Sequence, residues 1–363
     1  MTGRSLRVAT AIAAVATAVV VPVTLNTVTA EAAAPAVTAG RVVSLSSGAS
    51  LATAMHNLRA GDTLRLAPGS YNTGYLRLYT NHVGASQIWK GTAARPITVT
   101  SADPSRPATL VGGLQLEGAD YWRLIGLRFQ ATLPSTAALY MSNGVGWSVT
   151  GSEFWGADRT RSFANVAIAG SGGQPSRFVF AGNCLHGAAA TGRGNTDQNL
   201  YISFQGSGAA GGGVARNIIW ATPQGAAIKL GYGGVPTALG PSGVAVTNNT
   251  MYSNGRQILF AGNVRNNLIR GNLFVVARSP FTSDPRTTQI YVAGQVGGGN
   301  VVTSNYGYGA SMFAFDPGHR VSYRSNFQSN ARAANPVLAQ GSCQAFQAGN
   351  RAAAAFGRYG ILH

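Results

Sequence analysis

The stretch Asn217-Ile-Ile-Trp-Ala-Thr-Pro-Gln-Gly-Ala-Ala-Ile-Lys-Leu-Gly231 decides the fold, because the chain soon repeats its plan as Asn249-Thr-Met-Tyr-Ser-Asn-Gly-Arg-Gln-Ile-Leu-Phe-Ala-Gly262. Each stretch opens on Asn followed by apolar or aromatic residues and closes on a short apolar run ended by Gly. Working outward, the closing phrase returns as Leu139-Tyr-Met-Ser-Asn-Gly144, Val166-Ala-Ile-Ala-Gly170, Leu200-Tyr-Ile-Ser-Phe-Gln-Gly206 and Ile290-Tyr-Val-Ala-Gly294. The opening phrase returns as Asn183-Cys-Leu, Asn272-Leu-Phe, Asn305-Tyr and Asn326-Phe. Successive opening Asn residues, from Asn183 to Asn326, stand 34, 32, 23, 33 and 21 positions apart. Self-similarity at that period signals a solenoid.

The runs between the punctuating Gly, Asn and Ser residues are β-branched and aromatic and show almost no helical period, so each unit is a set of short strands. One coil of strands cannot bury its inward side chains. Neighbouring coils must therefore stack at the strand spacing of about 4.8 Å to close a continuous core. The recurring Asn fits a corner between strands, where it tolerates left-handed backbone angles and its amide bonds the equivalent Asn of the next coil. The expected fold is all-β, a right-handed parallel β-helix, over residues 35–335.

Ahead of the repeats, Leu51, Ala54, Met55 and Leu58 mark one face of a short amphipathic helix suited to capping the first coil. Gly61-Asp-Thr-Leu-Arg-Leu-Ala-Pro-Gly-Ser-Tyr71 follows, with Leu64 and Leu66 alternating with polar residues and Pro68-Gly69 turning the chain. With Pro96-Ile-Thr-Val-Thr100 and Trp122-Arg-Leu-Ile-Gly-Leu-Arg-Phe129, this opening resembles the right-handed parallel β-helix proteins of the pectate-lyase-like superfamily, over roughly residues 40 to 335. The resemblance implies the fold. It leaves activity open, since that fold carries lyases, hydrolases, esterases, epimerases and non-catalytic surface proteins.

Arg4 and Arg7 precede an apolar run from Val8 to Val21, and Val28-Thr-Ala30 and Ala30-Glu-Ala32 follow as small-residue cleavage patterns. Residues 1–34 therefore read as a signal peptide and leader, and a secreted protein with no membrane span after cleavage is expected. Residues 336–363 read as a C-terminal cap or tail. The two cysteines, Cys184 and Cys343, would sit in a compartment where disulfides persist, and they pair only if the tail folds back along the coils. Lys and Arg number 27 against ten Asp and Glu, and only Lys90 and Lys229 are Lys. Such a surface draws anionic partners. An acidic polysaccharide or anionic cell-wall polymer is the expected partner; no nucleic-acid module is visible, and a monomer is expected.

Alternate residues on a strand face opposite ways, so the middle residue of the closing phrase faces outward. Stacking the coils sets Tyr140, Ala167, Tyr201, Lys229, Leu259 and Tyr291 in one outward column. Tyr140, Tyr201 and Tyr291 are candidate sugar contacts, joined by His186 and Asp197 near the irregular stretch that follows Asn183. Lys229 is the candidate base for elimination from a uronide, with Arg193 and Arg256 as candidate charge-neutralising partners. The loop carrying Arg278, Asp284 and Arg286 is a candidate groove wall. Calcium needs six to eight oxygen ligands, and the acids are scattered, with Glu153, Asp158 and Asp197 the only weak cluster; no cofactor is expected. Asn195-Thr-Asp197 and Ala227-Ile-Lys229 match part of the polygalacturonase-type pattern, but the double Asp and Gly-His-Gly are lacking, so that hydrolysis has neither acid nor base. Two readings stand: a polysaccharide lyase-like enzyme on a uronic-acid polymer, or a non-catalytic β-helix that binds anionic polymers.

Overall fold

A computed structural model describes residues 40–157, 163–170, 174–188, 198–204, 211–232, 239–275, 287–331 and 343. The expected signal segment, the tail apart from Cys343, Arg193, Asp197, Asp158 and the loop with Arg278, Asp284 and Arg286 lie outside the described residues.

The chain winds as a right-handed parallel β-helix. Eleven strands, from Val42–Leu45 to Ser322–Arg324, stack in parallel as sheet 1. The second face, sheet 2, includes strands such as Arg128–Ala131, Glu153–Trp155 and Cys184–His186 and ends at Phe327–Ser329. The third face, sheet 3, runs from Ser70–Tyr79 through Ala137–Ser142, Ala164–Gly170 and Gln198–Phe204 to Met312–Phe315. Sheets 2 and 3 are joined because Ile218–Leu230 and Thr250–Ala261 stay extended around the corner between them. The helix Leu51–His56 caps the first coil, its N-terminus held by Ser50 Oγ accepting from Thr53 N at 3.2 Å. Met55 and Leu58 have no exposed surface, so its apolar stripe closes the core as the spacing predicts.

The interior is filled by like residues stacked coil on coil. Phe129 and Phe154 lie 4.7 Å apart at 9°, and Trp147 and Phe178 lie 4.9 Å apart at 13°. At the corner between sheets 1 and 2 the recurring Asn residues form the expected ladder. Asn183, Asn217, Asn249, Asn272 and Asn305 each pass Nδ2 to the next Asn Oδ1 at 2.8 to 3.1 Å, ending on Asn326. Each of their backbone N–H groups donates to the same oxygen, and each Nδ2 also reaches a carbonyl of sheet 1, such as Val214 O from Asn249 at 2.9 Å.

One detail differs from the expectation. The left-handed residue is the one before each ladder Asn: Gly182, Arg216, Asn248, Gly271, Ser304 and Ser325, at φ between 51° and 67°. The reversal of the chain thus falls one position early, which leaves the ladder Asn with ordinary angles and its amide turned inward to the carbonyls. A second buried ladder stands at the corner of sheets 2 and 3, where Asn165 Nδ2 donates to Asn199 Oδ1 at 2.7 Å and to His186 O at 2.9 Å. Cys184 and Cys343 are joined, with Cα atoms 5.9 Å apart across 159 positions of sequence, so residue 343 is pinned to the outer wall of sheet 2. Among the described residues no helix is long and apolar enough to cross a membrane.

Candidate functional site

The register of sheet 3 assembles the expected column. Tyr140 is opposite Ala167, Ala167 opposite Tyr201, Tyr201 opposite Lys229, Lys229 opposite Leu259 and Leu259 opposite Tyr291. The column extends beyond it, to Gln115 and Arg77 at one end and Phe315 at the other.

It is not, however, an open row of rings. Ala167 and Leu259 are each 1% exposed. Over Ala167, Phe163 stands edge-on to Tyr140 at 6.4 Å and to Tyr201 at 6.0 Å, filling the gap that the small Ala side chain leaves. Tyr140, Phe163 and Tyr201 therefore make one aromatic wall, with edge-to-face contacts worth about 0.5 to 1.5 kcal/mol each beyond the area they bury. Phe163 was not legible from the repeats, because it lies outside the recurring apolar phrase that ends in Gly.

Lys229 sits at the end of this wall, its Nζ 5.2 Å from the centre of the Tyr201 ring. Among the described residues no carboxylate pairs with it, and burial pushes its amine below the usual lysine value. Burial also pushes the Tyr201 phenol up to about 12. Both shifts favour the neutral forms, an amine beside a phenol, over an ammonium beside a phenolate. This pairing can take a proton at one atom and give one at another.

Arg256 departs from its expected role as an available cation. It lies within the strand Thr250–Ala261, 2% exposed, with its guanidinium 3.8 Å from the centre of the Tyr291 ring and Nη1 donating to Thr288 Oγ1 at 2.9 Å. Strand parity breaks where sheet 3 begins, so Arg256 lies against Tyr291 and fixes that ring. Tyr291 in turn stacks on Phe315 at 5.3 Å.

His186 belongs to a different face. It lies on sheet 2 between Trp155 at 6.3 Å and Trp220 at 4.8 Å, the three rings within 13° of parallel from one to the next. Its Nε2 is 3.0 Å from Glu153 Oε1, and Arg128 Nε donates to Glu153 Oε2 at 2.7 Å. The His186 bond, then Arg128, hold Glu153 below its ordinary value against the upward push of burial. A cleft of about 1200 Å³ runs along the corner between sheets 1 and 2 and is lined by Arg128, Glu153, Cys184, Arg216 and Cys343 among others. Volume and chemistry thus lie apart, since the cleft is on another face from Lys229. Lys229 carries more weight here, because among the described residues it is a cation left without an acid. The sequence missed the Arg128–Glu153–His186 group: Glu153 and His186 are 33 positions apart and hold different places in their coils.

No family model matches this chain, and no curated protein matches it. Among solved structures, an alginate lyase from Paenibacillus sp. str. FPU-7 is 18% identical over 80% of this chain and 99% of its own, with TM-score 0.46. Pectate lyase Pel9A is 14% identical over 82% of this chain and 80% of its own, with TM-score 0.49. Jun a 1, the major allergen from cedar pollen, is 10% identical over 89% of each chain, with TM-score 0.47. These are likenesses of fold.

Proposed function

We propose that this chain is an exported, monomeric protein acting on an acidic polysaccharide, as a lyase-like enzyme that cleaves a uronic-acid polymer by elimination. The observation that carries the reading is Lys229, a half-buried amine with no acid partner among the described residues, at the end of an aromatic wall on the outer face of a solenoid. A polymer of carboxylates supplies the missing anions. Its sugar rings present apolar faces to the aromatic edges and hydroxyls to the tyrosines.

In the elimination, Lys229 in its amine form, which burial favours, removes the proton on the carbon beside the substrate carboxylate. The electron pair forms a carbon–carbon double bond, and the bond to the departing sugar oxygen breaks. The Tyr201 phenol, kept protonated by burial, gives that oxygen its proton. No water is consumed, so no carboxylate pair is needed. The excess of basic over acidic residues raises the local concentration of the polyanion.

The test is incubation with a panel of uronic-acid polysaccharides, reading the ultraviolet absorbance of unsaturated products. The wild type should form them, and Lys229→Ala and Tyr201→Phe should each lower kcat by two orders of magnitude or more, roughly the contribution of a positioned acid or base. One observation favours the second reading, a non-catalytic binder: Arg256 is buried against Tyr291, which removes one of the cations expected beside the base. Binding alone would show no product with any polymer and a salt-sensitive retention that Lys229→Ala weakens.

A further inference from the structure

We propose that Cys184, Cys343 and His186 form a metal site that opens on reduction of their disulfide, holding one zinc ion on two thiolates and an imidazole nitrogen. A ring nitrogen of His186 and the two sulfurs all lie within 4.8 Å of one another. Zinc bonds of about 2.3 Å to sulfur and about 2.0 Å to nitrogen set tetrahedral ligand atoms roughly 4 Å apart, so the imidazole closes in slightly while the two sulfurs, freed of their bond, move apart by side-chain rotation. Cys184 and His186 are two positions apart on the strand Cys184–His186 and share its outer face. Disulfide geometry has already brought Cys343 to them.

The surroundings meet the other demands of such a site. A zinc-binding imidazole is ordinarily oriented by a carboxylate on its other nitrogen. Glu153 stands 3.0 Å from His186 Nε2 and is itself fixed by Arg128 at 2.7 Å. Trp155 and Trp220 hold the imidazole plane from both sides. The cleft lined by Cys184, Cys343, Glu153 and Arg128 admits the ion and a water as fourth ligand. Two thiolates and an imidazole are a soft donor set, which selects zinc over calcium or magnesium.

In the oxidised protein the sulfurs are bonded to each other and offer no thiolate. A dithiol reductant breaks that bond, closes to its own disulfide and leaves two thiols. Zinc then displaces both thiol protons and binds the sulfurs with the imidazole, so the pin on the sheet 2 wall passes from a covalent bond to a metal. The assignment does not depend on any activity at Lys229, which lies on sheet 3.

The full chain, reduced with dithiothreitol and desalted without oxygen, is titrated with Co2+ and then Zn2+ while absorbance and circular dichroism are recorded. One Co2+ per chain should bind with thiolate-to-cobalt charge-transfer absorption and be displaced by one Zn2+, and the oxidised chain should bind none. His186→Gln should weaken binding at least tenfold, and Glu153→Gln, a positioning change, by about 10- to 100-fold. Reduced chain that binds no Co2+, folded or unfolded, overturns the proposal. So does an affinity that His186→Gln leaves unchanged, or equal uptake by the oxidised chain.

Discussion

Replacing Asn249 by Leu tests the ladder at its centre. Asn249 has no exposed surface, and its amide serves five hydrogen bonds. Its Oδ1 accepts from Asn217 N and Asn217 Nδ2, both at 2.9 Å, and its Nδ2 donates to Val214 O, Thr247 O and Asn272 Oδ1 at 2.9 to 3.1 Å. Leu shares the branched outline of Asn and is no smaller, so the change removes the bonds without opening a cavity. Asn217 N–H and Asn272 Oδ1 each lose a partner in a place water does not reach. Asn217 Nδ2 keeps Phe180 O, and Asn272 Oδ1 has lost only one of two donors, since Asn249 N remains. At about 1 to 3 kcal/mol for a buried group left unpaired, here the Asn217 N–H, the loss is roughly 1 to 3 kcal/mol. In a chain of this size that lowers Tm by about 2 to 8 °C, measured by differential scanning calorimetry. Asn326, at the half-exposed end of the ladder, is the control: water replaces what Asn326→Leu removes, and its cost should stay under about 1 kcal/mol. Equal shifts for the two variants, or none for Asn249→Leu, would refute the claim that buried pairing holds this corner.

Ala167→Leu should cost about 1 to 3 kcal/mol by overpacking against Phe163, and adding Phe163→Ala should recover part of it; additive effects in a double-mutant cycle would show the two do not share one space. Lys229 titrates below its ordinary value near 10.5, so between the two values the native chain holds fewer protons than the unfolded one and stability rises with pH through the native pKa. Lys229→Met removes the buried charge, so it should raise Tm at neutral pH and flatten that alkaline rise, both read by thermal melts across pH. For Glu153 stability likewise rises with pH, but its lowered value is a favourable contribution: it stabilises the chain above the ordinary 4.5 and is lost as pH falls through the native value, so Glu153→Gln should show a shallower loss of stability on acidification.

The solenoid was legible because the corner Asn and the closing Gly recur in every coil, and periodicity carries whatever recurs. The outward column of Tyr140, Tyr201, Lys229 and Tyr291 was legible for the same reason, since parity within the closing phrase fixes direction. What escaped was whatever occurs once. Phe163 fills a gap opened by a single small residue, Ala167. Arg256 follows a corner at which parity breaks, so counting alternate residues along the strand misplaces it. Glu153 and His186 meet on a diagonal between adjacent coils, and Cys184 meets Cys343 across 159 positions. Contacts of this kind depend on coil lengths that vary from 21 to 34 residues, and the sequence pattern does not encode them.

The described acids sharpen what the composition implies. Asp62 pairs with Arg41, Asp103 with Arg106, Asp120 with Lys90, and Glu153 with Arg128 and His186. Four of the six described carboxylates thus close an ion pair, and Asp62 and Glu153 also tie separate segments of chain together. Of the two lysines, Lys90 has such a partner and Lys229 has none among the described residues. Coding bias alone accounts for an excess of Arg, but it does not account for a lysine kept half-buried beside an aromatic wall with no acid partner among the described residues. A buried charge without a partner destabilises the fold that carries it, and Lys→Met at this place would relieve that cost. Under the proposed function that cost would be met on binding, when an anion reaches the amine, or in the reaction, when the amine works as a base.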